Sequence, residues 1–407
     1  MSISFRRLAG TVRYVMALAP ALAVVSTARA QWVVTNLHPA GATESAALGV
    51  GQGQQVGYAR VGPTVGDTRA SLWTGSAASW VNLQPTGAGI TYSTVYAVDA
   101  GVQVGEVFVN GGATSHAARW TGSAASFIDL HPADAFQSTL RGVSAGRQVG
   151  TSTIFWAHAG LWTGPAPSWI DLSPPAPGGE TYTAEAYGVS GVQQVGFAEV
   201  NSVISASLWS GSAASRVDLH PAGQISSWAY GVDGAQQVGI VRVADSSSHA
   251  ALWRGSPGSW VDLHPPGALN SRALDVFAGT QVGVTTAGGL TRATLWRGTA
   301  ASRVDLHSFL PASFVSSEAT AIWGDAFSTV IVGWGYNSAT TRAEALMWSG
   351  PALCLGDFNT DGVANSADFF DFLVAFFAAS PSADFNRDGT VNSQDLFDFL
   401  AAFFVGC

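Results

Sequence analysis

Between Ala186 and Pro221 the chain reads AYGVSGVQQVGFAEVNSVISASLWSGSAASRVDLHP. Its apolar residues fall into four short runs, YGVS, QQVGFAEV, ASLWSG and RVDLH, with Gly, Ser or Asn between one run and the next. Short apolar runs punctuated by turn residues predict antiparallel strands joined by tight connections. No run long enough for a helix places its apolar residues at helical spacing. The unit recurs. A QVG-like word ends at Gly57, Gly105, Gly150, Gly196, Gly239, Gly283 and Gly333, and a Trp-x-Gly word begins at Trp73, Trp120, Trp162, Trp209, Trp253, Trp296 and Trp348. Both words appear seven times, at spacings of 42 to 52 residues. A period in this range, with four strands per unit, predicts an all-β seven-bladed β-propeller. The alternative is a β-helix or open solenoid, whose rungs are usually shorter.

The third recurring word separates these two. WVNLQP at Trp80, FIDLHP at Phe127, WIDLSP at Trp169, RVDLHP at Arg216, WVDLHP at Trp260 and RVDLH at Arg303 each close a unit. One more copy, WVVTNLHP (Trp32 to Pro39), stands alone at the front. The last unit has TAIWGDA, TVIVGWGY and EALMWSG and then lacks a closing word. With the strands lettered a to d, the N-terminal word supplies strand d of the seventh blade and pairs with EALMWSG. Such a clasp leaves no open sheet edge, and a solenoid has no use for it. The ring then spans 31–350. The pieces GVDGAQQVG (Gly231 to Gly239) with SHAALWRG (Ser248 to Gly255), and SHAARWTG (Ser115 to Gly122), resemble the HAF family of extracellular repeats. That resemblance implies a secreted repeat protein and no defined activity.

The pattern changes in 351–407. GDFNTDGVANSADFFDFLVAFF is echoed 27 residues later by ADFNRDGTVNSQDLFDFLAAFF. Each copy opens on D-x-N-x-D-G and carries Asp at loop position twelve. The first offers Asp357, Asn359, Asp361, the Val363 carbonyl, Asn365 and Asp368; the second offers Asp384, Asn386, Asp388, the Thr390 carbonyl, Asn392 and Asp395. Calcium takes roughly six to eight hard oxygen ligands, and alternate loop positions converge on one point only where position six turns sharply, hence Gly362 and Gly389. Two such loops predict two bound Ca²⁺ ions. Each runs into an apolar helix, with Phe369, Leu373, Phe376 and Phe377 in the first and Leu396, Leu400, Phe403 and Phe404 in the second. Loop plus exit helix, duplicated and without an entering helix, resembles a type I dockerin, a small α-helical EF-hand-like domain. The final Gly-Cys is similar to the GC-ending variant of planctomycete-like secreted proteins. The resemblance implies a cohesin-like partner met at loop positions ten and eleven, here Ser366, Ala367, Ser393 and Gln394. It departs further along the helices, where basic residues are expected and Phe dominates.

Composition sharpens this picture. Residues 1–30 have a basic start (Arg6, Arg7, Arg13), the apolar stretch VMALAPALAVV and the small-x-small site Ala28 to Ala30, the signature of a secretory leader. Without the leader's four Arg the balance is 14 Arg against 27 Asp+Glu, or −13, and Lys is absent. An acidic surface argues against nucleic acid and anionic lipid, which demand basic residues. No later segment approaches the length of a membrane span. The two cysteines, Cys354 and Cys407, bracket the tail, and in an oxidising compartment the pair most simply forms a disulfide.

Candidate chemistry on the ring is thin. All eight His fall on repeat positions, His38, His131, His220, His264 and His307 in the LHP word and His116, His158 and His249 before a strand-c Trp, so packing explains them. Asp129, Asp171, Asp218, Asp262 and Asp305 repeat as well. Glu44, Glu106, Glu180, Glu185, Glu318 and Glu344 do not repeat and are open to acid–base roles, though the sequence pairs none of them. No HExxH word is present. The variable d-to-a connections carry Tyr92, Phe136, Tyr182, Trp228 and Phe314, aromatic side chains suited to a sugar ring or a partner's pocket. The expectation is a secreted, non-catalytic binding protein whose ring recognises a polysaccharide or a surface protein while the tail docks. Two alternatives stay open: a polysaccharide-degrading hydrolase or lyase delivered by the same tail, and a purely structural cell-surface protein.

Overall fold

The structure, a computed structural model, describes residues 32–407 apart from 88, 176–181, 326, 327, 354, 360–363, 387–389, 406 and 407. The leader, Cys354 and Cys407, and Glu180 therefore lie outside the described residues. Seven four-stranded antiparallel sheets make the ring. Blade 1 consists of Glu44–Gly51, Gln54–Arg60, Thr68–Trp73 and Val81–Asn82, and blades 2 to 6 repeat this order. Blade 7 takes Phe314–Gly324, Ser328–Asn337 and Arg342–Pro351 from the end of the ring and Val33–Asn36 from its beginning. The clasp expected from the offset words is present: Val33 faces Ser349, Val34 faces Trp348, Thr35 faces Met347 and Asn36 faces Leu346.

A polar knot secures the clasp. Glu344, only 2% exposed, accepts hydrogen bonds from Asn36 Nδ2 at 2.7 Å, Thr340 Oγ1 at 2.7 Å, Arg342 Nε at 2.9 Å and Asn337 Nδ2 at 3.2 Å. Burial works against its charge, but those four donors bring its pKa down to about 2. The next residue, Leu37, is fully buried and donates its N–H to Ala345 O at 2.8 Å.

Each recurring word answers one packing requirement. The seven strand-c Trp and the seven Leu of the closing words (Leu37, Leu83, Leu130, Leu172, Leu219, Leu263 and Leu306) are fully buried between blades. Each contributes on the order of 1.5–3 kcal/mol by leaving water. Strand a carries a bulge at the same height in every blade. The bulge brings a strand-a carbonyl onto the QVG glycine of strand b, where any Cβ would overlap it; at Gly239 that carbonyl is Trp228 O. Gln in the same word reaches the c–d turn, as Gln103 Oε1 accepts from Gly122 N at 2.7 Å and Gln237 Oε1 from Gly255 N at 2.8 Å.

The LHP histidines join neighbouring blades. His131 Nε2 lies 3.0 Å from Ala135 O and Nδ1 lies 2.8 Å from Ser138 Oγ, which also accepts Ala117 N at 2.9 Å. A carbonyl only accepts, so Nε2 carries the proton and Nδ1 takes the serine hydroxyl's hydrogen. His38 with Ser45, His220 with Ser227 and His264 with Ser271 repeat the arrangement, and His307 meets Ser317. Gln84 stands in for His beside Ser93 in blade 1. The pKa of His38, His131, His264 and His307 is lowered, chiefly by burial.

Two outcomes follow from these contacts. Asn36→Ala removes a charge-assisted bond to a buried carboxylate and costs about 1.5–3 kcal/mol, and hydrogen exchange then accelerates first in Arg342–Pro351; uniform acceleration around the ring would show that the clasp is not the weak point. The second concerns pH. The unfolded state holds more protons than the fold below the ordinary His value of 6.5. Stability is therefore full above 6.5 and is lost as pH falls through the lowered folded values. Urea midpoints read between about pH 7.5 and about pH 5 decline, and the slope shrinks in His131→Gln, which copies blade 1.

Candidate functional site

The inner edges of the seven strands a surround a central channel. The bulge residues Leu48, Tyr96, Arg141, Tyr187, Tyr230, Leu274 and Thr320 line a cavity of about 200 Å³ at its waist. Two positions on, toward the a–b turns, stand Val50, Val98, Val143, Val189, Val232, Val276 and Ile322, an apolar collar. On the other side of the bulge the channel is polar. Tyr96 donates to Glu106 Oε1 at 2.5 Å and Tyr187 to Glu185 Oε2 at 3.1 Å. Arg272 pairs with Glu318 at 3.1 Å, and Glu44 binds Arg60 at 2.7 Å and the Tyr58 hydroxyl at 2.8 Å. Arg141 lies over the Tyr96 ring at 4.1 Å.

These groups share one electrostatic environment. Burial opposes the Arg141 charge, while Tyr96, Glu106, Tyr187 and Glu185 together raise its pKa. Burial pushes the Tyr230 phenol up to about 12 and raises Tyr58, Tyr96 and Tyr187 further, with nearby glutamates adding to the effect. Burial also raises Glu318 against the pull of Arg272. Glu106 and Glu185 thus share Arg141, while Glu44 and Glu318 are each held by an Arg of their own. Glu344 belongs to the clasp instead.

The tail forms two helices, α1 (Ser366–Phe377) and α2 (Ser393–Val405). Phe372 and Phe399, both fully buried, stack at 4.0 Å with planes 5° apart. Asp368 and Asp395 are fully buried. Asp368 accepts Asn359 N and Asn365 N, both at 2.9 Å, and Asp395 accepts Asn386 N at 3.1 Å and Asn392 N at 2.8 Å. Each loop is therefore folded back onto its position-twelve carboxylate. Asp361, Val363 and Asp388 lie outside the described residues. The described donors are carboxylate, amide and carbonyl oxygens, and neither buried aspartate has a basic partner among the described residues. That set fits a hard divalent cation. Ser366, Ala367, Ser393 and Gln394 open the two helices and are exposed.

The tail lies across the a–b-turn mouth of the channel. A cavity of about 1040 Å³ is lined by those turns and by Leu355, Phe358, Phe385 and Val391, together with Asp357, Asp384 and Asn386 of the loops. The d-to-a connections are at the opposite mouth.

No protein-family model matches the sequence, and no curated relative matches it. Among solved structures, the chain is similar to TolB from Acinetobacter baumannii at 8% identity and a TM-score of 0.43, covering 69% of this chain and 76% of that one. It is similar to the β-propeller domain of the Trilobed protease from Pyrococcus furiosus at 8% identity and 0.48, covering 75% and 94%. An oligogalacturonate lyase in complex with manganese matches at 7% identity and 0.49, covering 79% and 98%. These likenesses concern the fold alone.

The five aromatic residues expected on the ligand face are dispersed. Phe136 is 62% exposed. Tyr92 stacks on Phe108 at 4.0 Å, and the Tyr182 hydroxyl reaches Asn201 at 3.2 Å. Trp228 lies in strand a, edge-on to Phe197 at 6.4 Å, and Phe314 is a core residue rather than a face residue. Phe155 and Trp156, in the b–c connection of blade 3, are more exposed than most of the five; Trp156 had a signal, being a Trp off the repeat. In the helices, Phe377 and Phe404 point outward instead of packing, and Phe372 and Phe399 hold the centre. Periodicity alone did not choose among so many phenylalanines. Phe372→Ala accordingly lowers the tail's stability by about 3–5 kcal/mol, whereas Phe377→Ser leaves it nearly unchanged. Hydrogen exchange in α1 and α2 reads the difference, and equal effects would refute this packing.

Proposed function

We propose that the protein is an exported binding protein without catalytic activity, whose tail binds two Ca²⁺ ions and docks to a cohesin-like domain while the ring recognises a glycan or a surface protein. The observation that carries this reading is the duplicated loop, closed in both copies on a buried aspartate, Asp368 and Asp395. Bound calcium would neutralise those carboxylates and fix the two loops at the starts of α1 and α2. The exposed residues Ser366, Ala367, Ser393 and Gln394 are the contact positions that the dockerin resemblance implies. A Cys354–Cys407 disulfide would staple this small unit and add about 2–4 kcal/mol. The leader supports export.

The channel glutamates favour one second reading, a polysaccharide-cleaving hydrolase or lyase. Its weakness is that each of the four is already engaged by Tyr or Arg.

Calorimetry on chelator-treated protein tests the main proposal. Two calcium sites are expected, reduced to one by Asp357→Ala or Asp384→Ala and to none by both together. Calcium at about a hundred times Kd stabilises the tail by about 2.7 kcal/mol per site. Absence of binding heat together with an unchanged tail melting transition would overturn it.

A further inference from the structure

The bulge position is where the blades stop resembling one another. Around it the repeat is strict: in most blades a buried Ser lies three residues before and a Val or Ile two residues after. At the bulge itself the series is Leu48, Tyr96, Arg141, Tyr187, Tyr230, Leu274 and Thr320. Packing between blades is the same problem seven times and does not ask for this variety. The variety is also ordered. Blades 2 to 5 contribute Tyr, Arg, Tyr and Tyr, whereas blades 6, 7 and 1 contribute Leu, Thr and Leu, so a phenol and guanidinium arc faces a more apolar one, in which the Thr320 hydroxyl and Asp275 are already bonded to backbone groups.

We propose that this cavity is a binding site for a single sugar ring without acidic groups, reached from the d-to-a mouth. The inference rests on the glycan reading of the ring and gives it a place and a ligand class. A pyranose ring has a hydroxyl edge and an apolar C–H face, and the two arcs match these. Glu106 and Glu185 supply acceptors and Arg141 supplies donors, the mixture that pairs with adjacent hydroxyls. Among the described residues, neither the Arg141 Nε nor the Tyr230 hydroxyl has a hydrogen-bond partner. Tyr187 and Tyr230 stand 5.4 Å apart and offer aromatic surface. Charge decides the class. Glu44 is matched by Arg60 and Glu318 by Arg272, leaving Arg141 against Glu106, Glu185 and the cavity-lining Asp275, a net −2 that disfavours uronates and other anions. Beyond the cavity lie the apolar collar and the tail, so a sugar enters from the d-to-a mouth and a chain end is the part that fits.

Calorimetry with the full-length protein and neutral gluco-, manno- and xylo-oligosaccharides tests this, with oligogalacturonate as the acidic probe. Trp228 fluorescence gives a second signal, since Trp228 precedes Tyr230 by two residues in strand a. At least one neutral probe should bind, with affinity down roughly tenfold or more in Arg141→Met and severalfold in Tyr230→Phe. Tyr230→Phe preserves the ring and covers the case in which Arg141→Met melts early. Trp156→Ala, on the exposed face, should bind like the parent. Loss in Trp156→Ala with retention in Arg141→Met and Tyr230→Phe would overturn the channel site and keep the glycan reading. Binding of oligogalacturonate alone would overturn the ligand class. No binding of any probe would sink both.

Discussion

The hydrogen bonds between Val33–Asn36 and Arg342–Pro351 turn seven similar sheets into a closed ring. Every other blade finds its outer strand next in sequence; blade 7 finds it at the far end of the chain. Without that pairing, strand c of blade 7 would present unpaired backbone to water and its side of the first blade would lose its wall. The chain reinforces the joint where it is most exposed to failure. Glu344, a buried carboxylate with four donors, binds Asn36 across it, and Ser45 of blade 1 accepts Ala345 N and donates to His38 Nδ1.

Once the ring is closed, the residues divide by what they must do. Trp and Leu fill the wedges between blades, the QVG glycine makes room for a bulge, and His, Ser and Gln satisfy backbone groups that would otherwise be buried without partners. These are the repeated residues, because each wedge poses the same problem. The channel lies outside that repetition. There the bulge presents one side chain per blade to a shared space, and the chain uses the freedom to set phenols, guanidinium groups and carboxylates against leucines.

The tail gives the ring two unlike ends. Leu353 and Leu355 pack with Phe277 and Trp323 at the last blades, and Phe358, Phe385 and the loop aspartates then lie over the a–b turns. The helices keep Phe370, Phe377, Phe397 and Phe404 on the outside. Loop chemistry thus faces the ring, while the helix surfaces and the d-to-a mouth remain open to solvent on separate sides.

The blade count, the clasp and the two loops were legible in the sequence because each rests on short words at regular spacing, and local backbone geometry follows from such words. The histidines were legible for the same reason: eight residues on repeat positions read as packing devices, since each blade poses the same problem. The channel site was not. Glu106 and Glu185 lie far apart in the chain, and nothing local marks them as sharing Arg141; only the packing of successive blades around the channel brings them to it. The bulge left no word either, since its residue varies among Leu, Tyr, Arg and Thr from blade to blade. Phe314 read as a loop aromatic until the eleven-residue strand a of blade 7 drew it into the core. Phe372 and Phe399 became the tail's centre because two helices facing each other select one stripe, a choice that a single phenylalanine-rich helix leaves undecided. Spacing along the chain determined the elements and how the ring closes. Distance in space, which depends on closure and on facing partners, decided which side chains meet.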